Sequence, residues 1–367
     1  MGCRSLGHSA AAGSPGVLAH TRIFWLPFPV VTRADIGAEL EGAWLAGPLQ
    51  QVEAAMRDLI TADADTDAPL GAICRDHLDG GGKRLRARLA LAATQVLGVQ
   101  GPDPVLWAAA CELVHNATLI HDDLQDGDRI RRGLPATWVT HGAAQAINAG
   151  DLLLMLPIVA VGRLAAPLAQ RWGLAQLLAD SLVKVIRGQG LECSLAASGR
   201  TDWEIYRRTI EGKTCALFAL PVQGAALLAG HSGAAAASLA RPFAALGALF
   251  QMQDDVLDLY GEKGRDRPGS DLREGKISAL VVAHLQRQPA DREWLLRLLR
   301  APREATDEDE VQAAIVRFRT SGALAAVLAE IAAEARAAQQ AVTAEMRGLL
   351  GQLTERILRP IAHLQAA

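Results

Sequence analysis

Two stretches of this chain, residues 105–119 and 215–228, are apolar almost all the way round a helix. A helix with no polar face cannot sit at a surface, so other elements must surround it on every side. That demands a large fold, and 367 residues are enough for one. The composition suits helices. Half of the chain is hydrophobic but only 4% is aromatic; alanine and leucine dominate and β-branched runs are few. Residues 34–60 carry apolar positions at helical spacing. Helices are also predicted over 85–97, 105–126, 137–164 (bent near Pro157), 174–197, 202–229 and 234–260. Shorter helices follow from 276 to 364, around an acidic turn at 307–310. Breaks fall at 80–82, 98–104, 127–135 and 261–275. Wide apolar faces joined by short connections predict an all-α fold, one large helical bundle over residues 32–367.

Residues 1–31 are rich in Gly, Ala, Ser and Pro and read as a disordered extension. The opening MGCRSL lacks the Ser or Thr that a myristoylation signal needs, since Leu6 stands there, and no signal-peptide core follows Arg4. The longest apolar run elsewhere, 152–162, is too short to span a bilayer, so no transmembrane segment is expected. There are five cysteines, an odd number without a CxxC pair. They suggest free thiols in a reducing, cytoplasmic compartment. A net charge of −3 argues against nucleic acid as a partner.

The chemistry starts at the end of the segment 105–126. In Asp122-Asp123-Leu124-Gln125-Asp126, Asp122 and Asp126 lie one helical turn apart on one face, with Asp123 beside them. Crowded carboxylates repel one another unless cations neutralise them. An all-oxygen set with open positions suits Mg²⁺. Alone, the motif could equally be a solvated acidic helix end; a calcium loop is excluded because Leu124 and Gly133 occupy ligand positions. The same spacing returns in Asp254-Asp255-Val256-Leu257-Asp258, again at the end of an apolar helix. Two such helices facing each other would hold metal between them, and Mg²⁺ usually shares its shell with phosphate oxygens.

Cations supply the complement. Gly81-Gly82-Lys83-Arg84-Leu85-Arg86 puts a glycine turn and basic side chains at a helix start, a favourable place for phosphate. Arg131-Arg132-Gly133 follows the first acidic motif, and Lys213-Thr214 interrupts an apolar helix. Singly each reads as solvated surface. Together they describe a site for two anionic substrates.

These motifs, in this order and spacing and with Phe250-Gln251-Met252-Gln253 ahead of the second acidic pair, resemble the trans-isoprenyl diphosphate synthases, or polyprenyl synthetases. Class I terpene cyclases carry only one such aspartate motif and lack the Gly-Gly-Lys-Arg turn. The resemblance covers about Ala34 to the C-terminus. It implies a helical bundle around a central cavity, usually as a homodimer, in which isopentenyl diphosphate is joined to an allylic diphosphate (dimethylallyl, geranyl or farnesyl). Lys83, Arg86, His115 and Arg132 look like the isopentenyl diphosphate contacts. Asp122, Asp123, Asp126 and Asp254 look like Mg²⁺ ligands, with Asp255 and Asp258 assisting directly or through water; three ions accompany the bound diphosphate. Arg131, Lys213 and Gln251 resemble the allylic diphosphate contacts, and Thr214 lies near the reacting carbon. His121 reads as a structural neighbour. The family commonly has a lysine where this chain has Asp266, with Arg265 or Arg267 as substitutes.

Product length depends on the floor beneath the first motif. Short-chain enzymes of the family often place an aromatic residue there, whereas this chain has Ala117 and Thr118, then Val114 and Cys111. The expected product is the twenty-carbon geranylgeranyl diphosphate. The alternatives are farnesyl or longer (hexaprenyl to decaprenyl) products, and a non-catalytic regulatory subunit. The helix carrying Met155 is a further candidate to close the cavity.

Overall fold

The computed structural model describes residues 40, 42–61, 69–261 and 268–364. The expected extension 1–31 and the position of Asp266 with its neighbours Arg265 and Arg267 lie outside them. Among the described residues the fold is helical apart from one short ribbon: α1 (Ala46–Thr61), α2 (Pro69–Asp79), α3 (Leu85–Val96), α4 (Asp103–Gln125), α5 (Thr137–His141), α6 (Ala143–Gly162), α7 (Leu168–Ser198), α8 (Trp203–Ile210), α9 (Ala216–Leu228) and α10 (Gly233–Tyr260). They are followed by α11 (Ser270–Arg273), α12 (Ala279–Arg287), α13 (Arg292–Arg300), α14 (Glu308–Thr320), α15 (Ala323–Ala341) and α16 (Arg347–Leu358).

Two apolar cores share one seam. One gathers around α4, with α1 and α6; the other gathers around α10, with α12, α15 and α16. Helix α9 divides its surface between them: Leu217 and Leu220 face the first core, Phe218 and Val222 the second. This is why residues 215–228 have no polar face. Pro221 sits inside α9, and its carbonyl accepts the indole N–H of Trp107 on α4 at 3.0 Å.

The expected elements depart from the structure where backbone geometry intervenes. The segment 137–164 breaks at Gly142, whose φ of 84° stops α5, and not at Pro157, which lies inside α6. The loop 127–135 folds into a minimal antiparallel ribbon, β1 (Ile130–Arg131) with β2 (Leu134–Pro135). The loop 261–275 contains the short helix α11. The segment 202–229 is interrupted by a π-helical turn, Glu211–Cys215. Helices α6 and α10 are each long and apolar enough to cross a membrane, yet about half of each apolar window is buried inside the bundle. Met155 is exposed on the outer face of α6, so it does not close an interior space.

Candidate active site

Helix α4 is buried at every residue from Asp103 to Val114, and exposure returns at His115, Thr118, Leu119, His121, Asp122, Leu124 and Gln125. Its C-terminal end carries Asp122, Asp123 and Asp126; the C-terminal end of α10 carries Asp254, Asp255 and Asp258. Carboxylates at the negative end of a helix dipole need cations from elsewhere.

Two lysines from separate elements supply them. Lys276, in the turn between α11 and α12, places its Nζ 2.8 Å from Asp126 and 2.6 Å from Glu274. Lys213 pairs with Glu192 of α7 and lies 3.7 Å from Asp122. Burial pushes the Asp122 carboxyl up to about 6, against the pull of Lys213. Burial acts to lower the Lys213 pKa, but Glu192 and Asp122 outweigh it and the ammonium is held charged. Thr214 donates from its hydroxyl to Gln251 Oε1 at 2.9 Å, one turn before Asp254. Asp254 itself is half-buried.

The π-helical turn presents Lys213 and Thr214. Glycines on both sides let it exist. A Cβ on Gly188 of α7 would lie 2.5 Å from the Lys213 amide nitrogen, and one on Gly247 of α10 would lie 2.6 Å from Cys215 Cα. Single π turns of this kind are frequent at functional sites.

Three of the expected metal ligands have protein partners in this structure. Asp123 is buried; one of its oxygens takes the Arg131 Nε–H at 2.8 Å and a second guanidinium contact, and the other is enclosed without a partner. Arg131 is thereby paired with Asp123. Asp255 accepts from Tyr206 Oη (2.8 Å), Ala279 N (2.7 Å) and Gln251 Nε2 (3.1 Å), which uses both oxygens to tie α10 to α8 and α12. Asp258 is buried and accepts the Asp271 N–H at 3.0 Å. Asp122 and Asp126 are the carboxylates that face the ammonium groups of Lys213 and Lys276. Among the described residues no three metal-type side chains converge on one point, so any cation here needs oxygens from its guest as well. Hard carboxylate oxygens fit Mg²⁺ on those terms.

The basic motifs converge as expected. Arg132 folds over the glycine turn: its guanidinium donates to the Gly81 carbonyl, and a Cβ on Gly82 would lie 2.6 Å from it. The φ of 128° at Gly82 is what favours glycine there. Arg132 (φ 54°) and Arg84 (φ 48°) are themselves left-handed, a strained conformation for residues with side chains. Arg84 is structural, donating to the carbonyls of Leu78 (2.7 Å) and Gly81 (3.1 Å). Arg86 lies over the rings of Phe218 and Phe250, 4.9 and 5.7 Å from their centroids. Burial lowers its pKa to about 10, partly offset by Glu112. His115 is held neutral by burial and then by Arg86, and its Nδ1 is enclosed without a partner. Lys83 is exposed at the turn. His121 packs on Gly150 of α6 and lies 3.5 Å from Asp151.

Sequence reasoning missed Lys276, Glu192, Tyr206, Glu274 and Arg303. Lys276 had a signal: like Lys213 it follows a glycine at the start of an apolar helix. The others had none, because only tertiary packing brings them in.

The fold is thus a helical bundle in which the first acidic helix end faces two lysines, near a cationic glycine turn. The comparisons agree. The family model for polyprenyl synthetase matches residues 67–318. A short chain isoprenyl diphosphate synthase of Methanothermobacter thermautotrophicus is 38% identical over 252 residues, covering 68% of this chain and 76% of that protein. A nonaprenyl diphosphate synthase of Mycobacterium tuberculosis is 31% identical over 324 residues, covering 84% and 91%. A polyprenyl synthase from Caulobacter crescentus, crystallised with calcium and isoprenyl diphosphate, superposes with a TM-score of 0.75 at 28% identity, covering 86% of this chain and 95% of that one. The chain belongs to the polyprenyl synthetase family, and with it to the prenyltransferases.

Proposed function

We propose that the protein condenses isopentenyl diphosphate with an allylic diphosphate to give an all-trans prenyl diphosphate, with geranylgeranyl diphosphate as the product. The observation that carries this reading is the pairing of Asp122 and Asp126 with lysines from two other elements, next to the Lys83–Arg86–Arg132 turn. Asp122, Asp126 and Asp254 would hold Mg²⁺ together with oxygens of the allylic diphosphate. The metal, when bound, neutralises the negative charge that departs with that diphosphate. Lys213 and Lys276 add fixed positive charge at the same place, which is electrostatic stabilisation without reorganisation. As the allylic C–O bond breaks, the Thr214 hydroxyl oxygen and Gln251 face the carbon with their dipoles. The alkene of isopentenyl diphosphate attacks that carbon, and a proton leaves to the departing diphosphate. The apolar faces of α4 and α9 exclude the water that would otherwise quench the cation.

The isopentenyl diphosphate would sit on Lys83, Arg86 and Arg132, with His115 as a neutral donor. Arg86→Ala is expected to raise its KM roughly thirtyfold, about 2 kcal/mol for a lost charged contact, while the primer's KM changes little. Steady-state kinetics with each substrate varied in turn would check this; equal losses would move Arg86 to another subsite.

For product length, Thr118 is the position to test. It is half-buried one turn back from Asp122 on the same face, whereas Ala117 is fully enclosed in the core. Val114 and Cys111, further back along α4, are enclosed in the core like Ala117, and an isoprene unit is about one helical turn long, ~5 Å. Thr118→Phe is expected to shorten the product by at least one isoprene unit with activity retained. Chromatography of dephosphorylated products would show it, and unchanged length would mean that the tail runs elsewhere.

Cys74, Cys111, Cys193 and Cys215 are free thiols, in keeping with a reducing, cytoplasmic setting. A homodimer is supported by exposed apolar side chains at helical spacing, Ile147, Met155 and Ile158 on α6 and Trp172, Val183 and Ile186 on α7, a surface suited to a second copy. The decisive experiment incubates the purified chain with Mg²⁺, labelled isopentenyl diphosphate and each allylic primer. A twenty-carbon product is expected. A longer product would overturn the length assignment, and no product from any primer would favour a regulatory subunit.

A further inference from the structure

We propose that Arg303, on the 3-10 turn Arg303–Ala305 between α13 and α14, is a positioning residue that sets the metal-facing end of α4. The inference rests on Asp122 and Asp126 being the cation ligands. The last carbonyls of a helix lack partners within it, and a cation there is favoured by the helix dipole. Arg303 Nη1 donates to the main-chain oxygen of Asp126 at 3.0 Å and to Asp128 Oδ1 at 2.9 Å. The same nitrogen lies 3.3 Å from Glu274 Oε1.

Glu274 closes a circuit. Its side chain is only 1% exposed, and its other oxygen lies 2.6 Å from Lys276 Nζ, which reaches Asp126 Oδ2 at 2.8 Å. Charges therefore alternate around a ring: Asp126, Lys276, Glu274, Arg303 and back to the Asp126 carbonyl. The ring joins the end of the first acidic helix, the turn after the second, and a connection 177 positions away from Asp126 in sequence. A buried carboxylate needs compensation. With Arg303 present, Lys276 is shared between Glu274 and Asp126. Without it, Glu274 draws Lys276 toward itself, and Asp126 loses both its carbonyl anchor and its facing ammonium. Arg303 acts through Asp126 and touches no substrate.

The test compares Arg303→Gln and Arg303→Lys with the wild type. Loss of a residue that orients a ligand typically costs ten- to a hundredfold in metal affinity. Arg303→Gln is therefore expected to raise the Mg²⁺ concentration for half-maximal turnover by about tenfold or more. It should also remove most of the rise in melting temperature caused by Mg²⁺ with inorganic pyrophosphate. The KM for isopentenyl diphosphate and the melting temperature without ligand should stay close to wild type, and Arg303→Lys should recover much of the Mg²⁺ dependence. A lower ligand-free melting temperature with unchanged Mg²⁺ dependence would make Arg303 a fold staple and overturn the proposal. Unchanged Mg²⁺ dependence in a stable Arg303→Gln protein would overturn it as well. Failure of the wild type itself to be stabilised by Mg²⁺ and pyrophosphate, or full stabilisation of Asp126→Asn, would instead sink the metal-site reading on which it rests.

Discussion

Asp122→Asn and Asp254→Asn are each expected to lower kcat by about a thousandfold while the protein stays folded. Both changes keep side-chain volume and remove one anionic oxygen from the cluster that faces the leaving diphosphate. The loss falls on kcat because negative charge develops there only as the C–O bond breaks. Asp122→Asn carries a second, opposite signature. Burial raises the Asp122 pKa from 3.8 to about 6. An acid whose folded pKa lies above its unfolded value costs stability as pH rises through that interval, and the cost is complete above about 6. Metal-free Asp122→Asn should therefore melt higher than metal-free wild type at pH 7, and the gap should narrow as pH falls from about 6 toward 4. Thermal melts across that range, beside single-turnover kinetics, would check both. Near-wild-type turnover at limiting Mg²⁺ in either variant would end the two-motif metal model.

Gly188→Ala is expected to be nearly as damaging without touching a charged group. The added Cβ would lie 2.5 Å from the Lys213 amide nitrogen and 2.9 Å from the Thr209 carbonyl oxygen. Both are backbone atoms and cannot swing aside, so the π-helical turn must shift. Overpacking of this kind costs about 1–3 kcal/mol of stability. A displacement of Lys213 and Thr214 by even 1 Å should cut kcat about a hundredfold. Gly190→Ala is the control: it is exposed, and no atom lies within 4 Å of its built Cβ. Equal activity of the two variants would show that the turn's geometry does not set the site.

Much of the site was legible because charge and period are local properties. Asp122 and Asp126 had to share a face on any helix, and the Gly81-Gly82 turn had to lead into basic residues. The family motifs added Arg86, His115, Lys213 and Thr214, and the fold brings their segments to one end of the bundle. What the sequence does not distinguish is the surroundings of each carboxylate within an acidic motif. Asp123 and Asp255 are indistinguishable from their neighbours in sequence, yet each is consumed by a protein partner: Arg131 for one, and Tyr206 with the Ala279 amide for the other. Side chains adjacent on a helix point about 100° apart, so one faces the site while the next faces a packed neighbour.

The sequence by itself determined the helical bundle, the two acidic helix ends and the chemistry they imply, since these follow from hydrophobic period, spacing and residue type. Tertiary structure alone decided the π-helical turn at Glu211–Cys215, the break at Gly142, and the recruitment of Glu192, Glu274 and Arg303. A helix's internal hydrogen bonding is set by its own residues only until neighbours press on it, and here Gly188 and Gly247 admit the backbone of the turn from two sides. Counter-charges for a buried carboxylate can likewise come from any part of the chain that folding brings within about 4 Å, and sequence distance places no limit on which part that is.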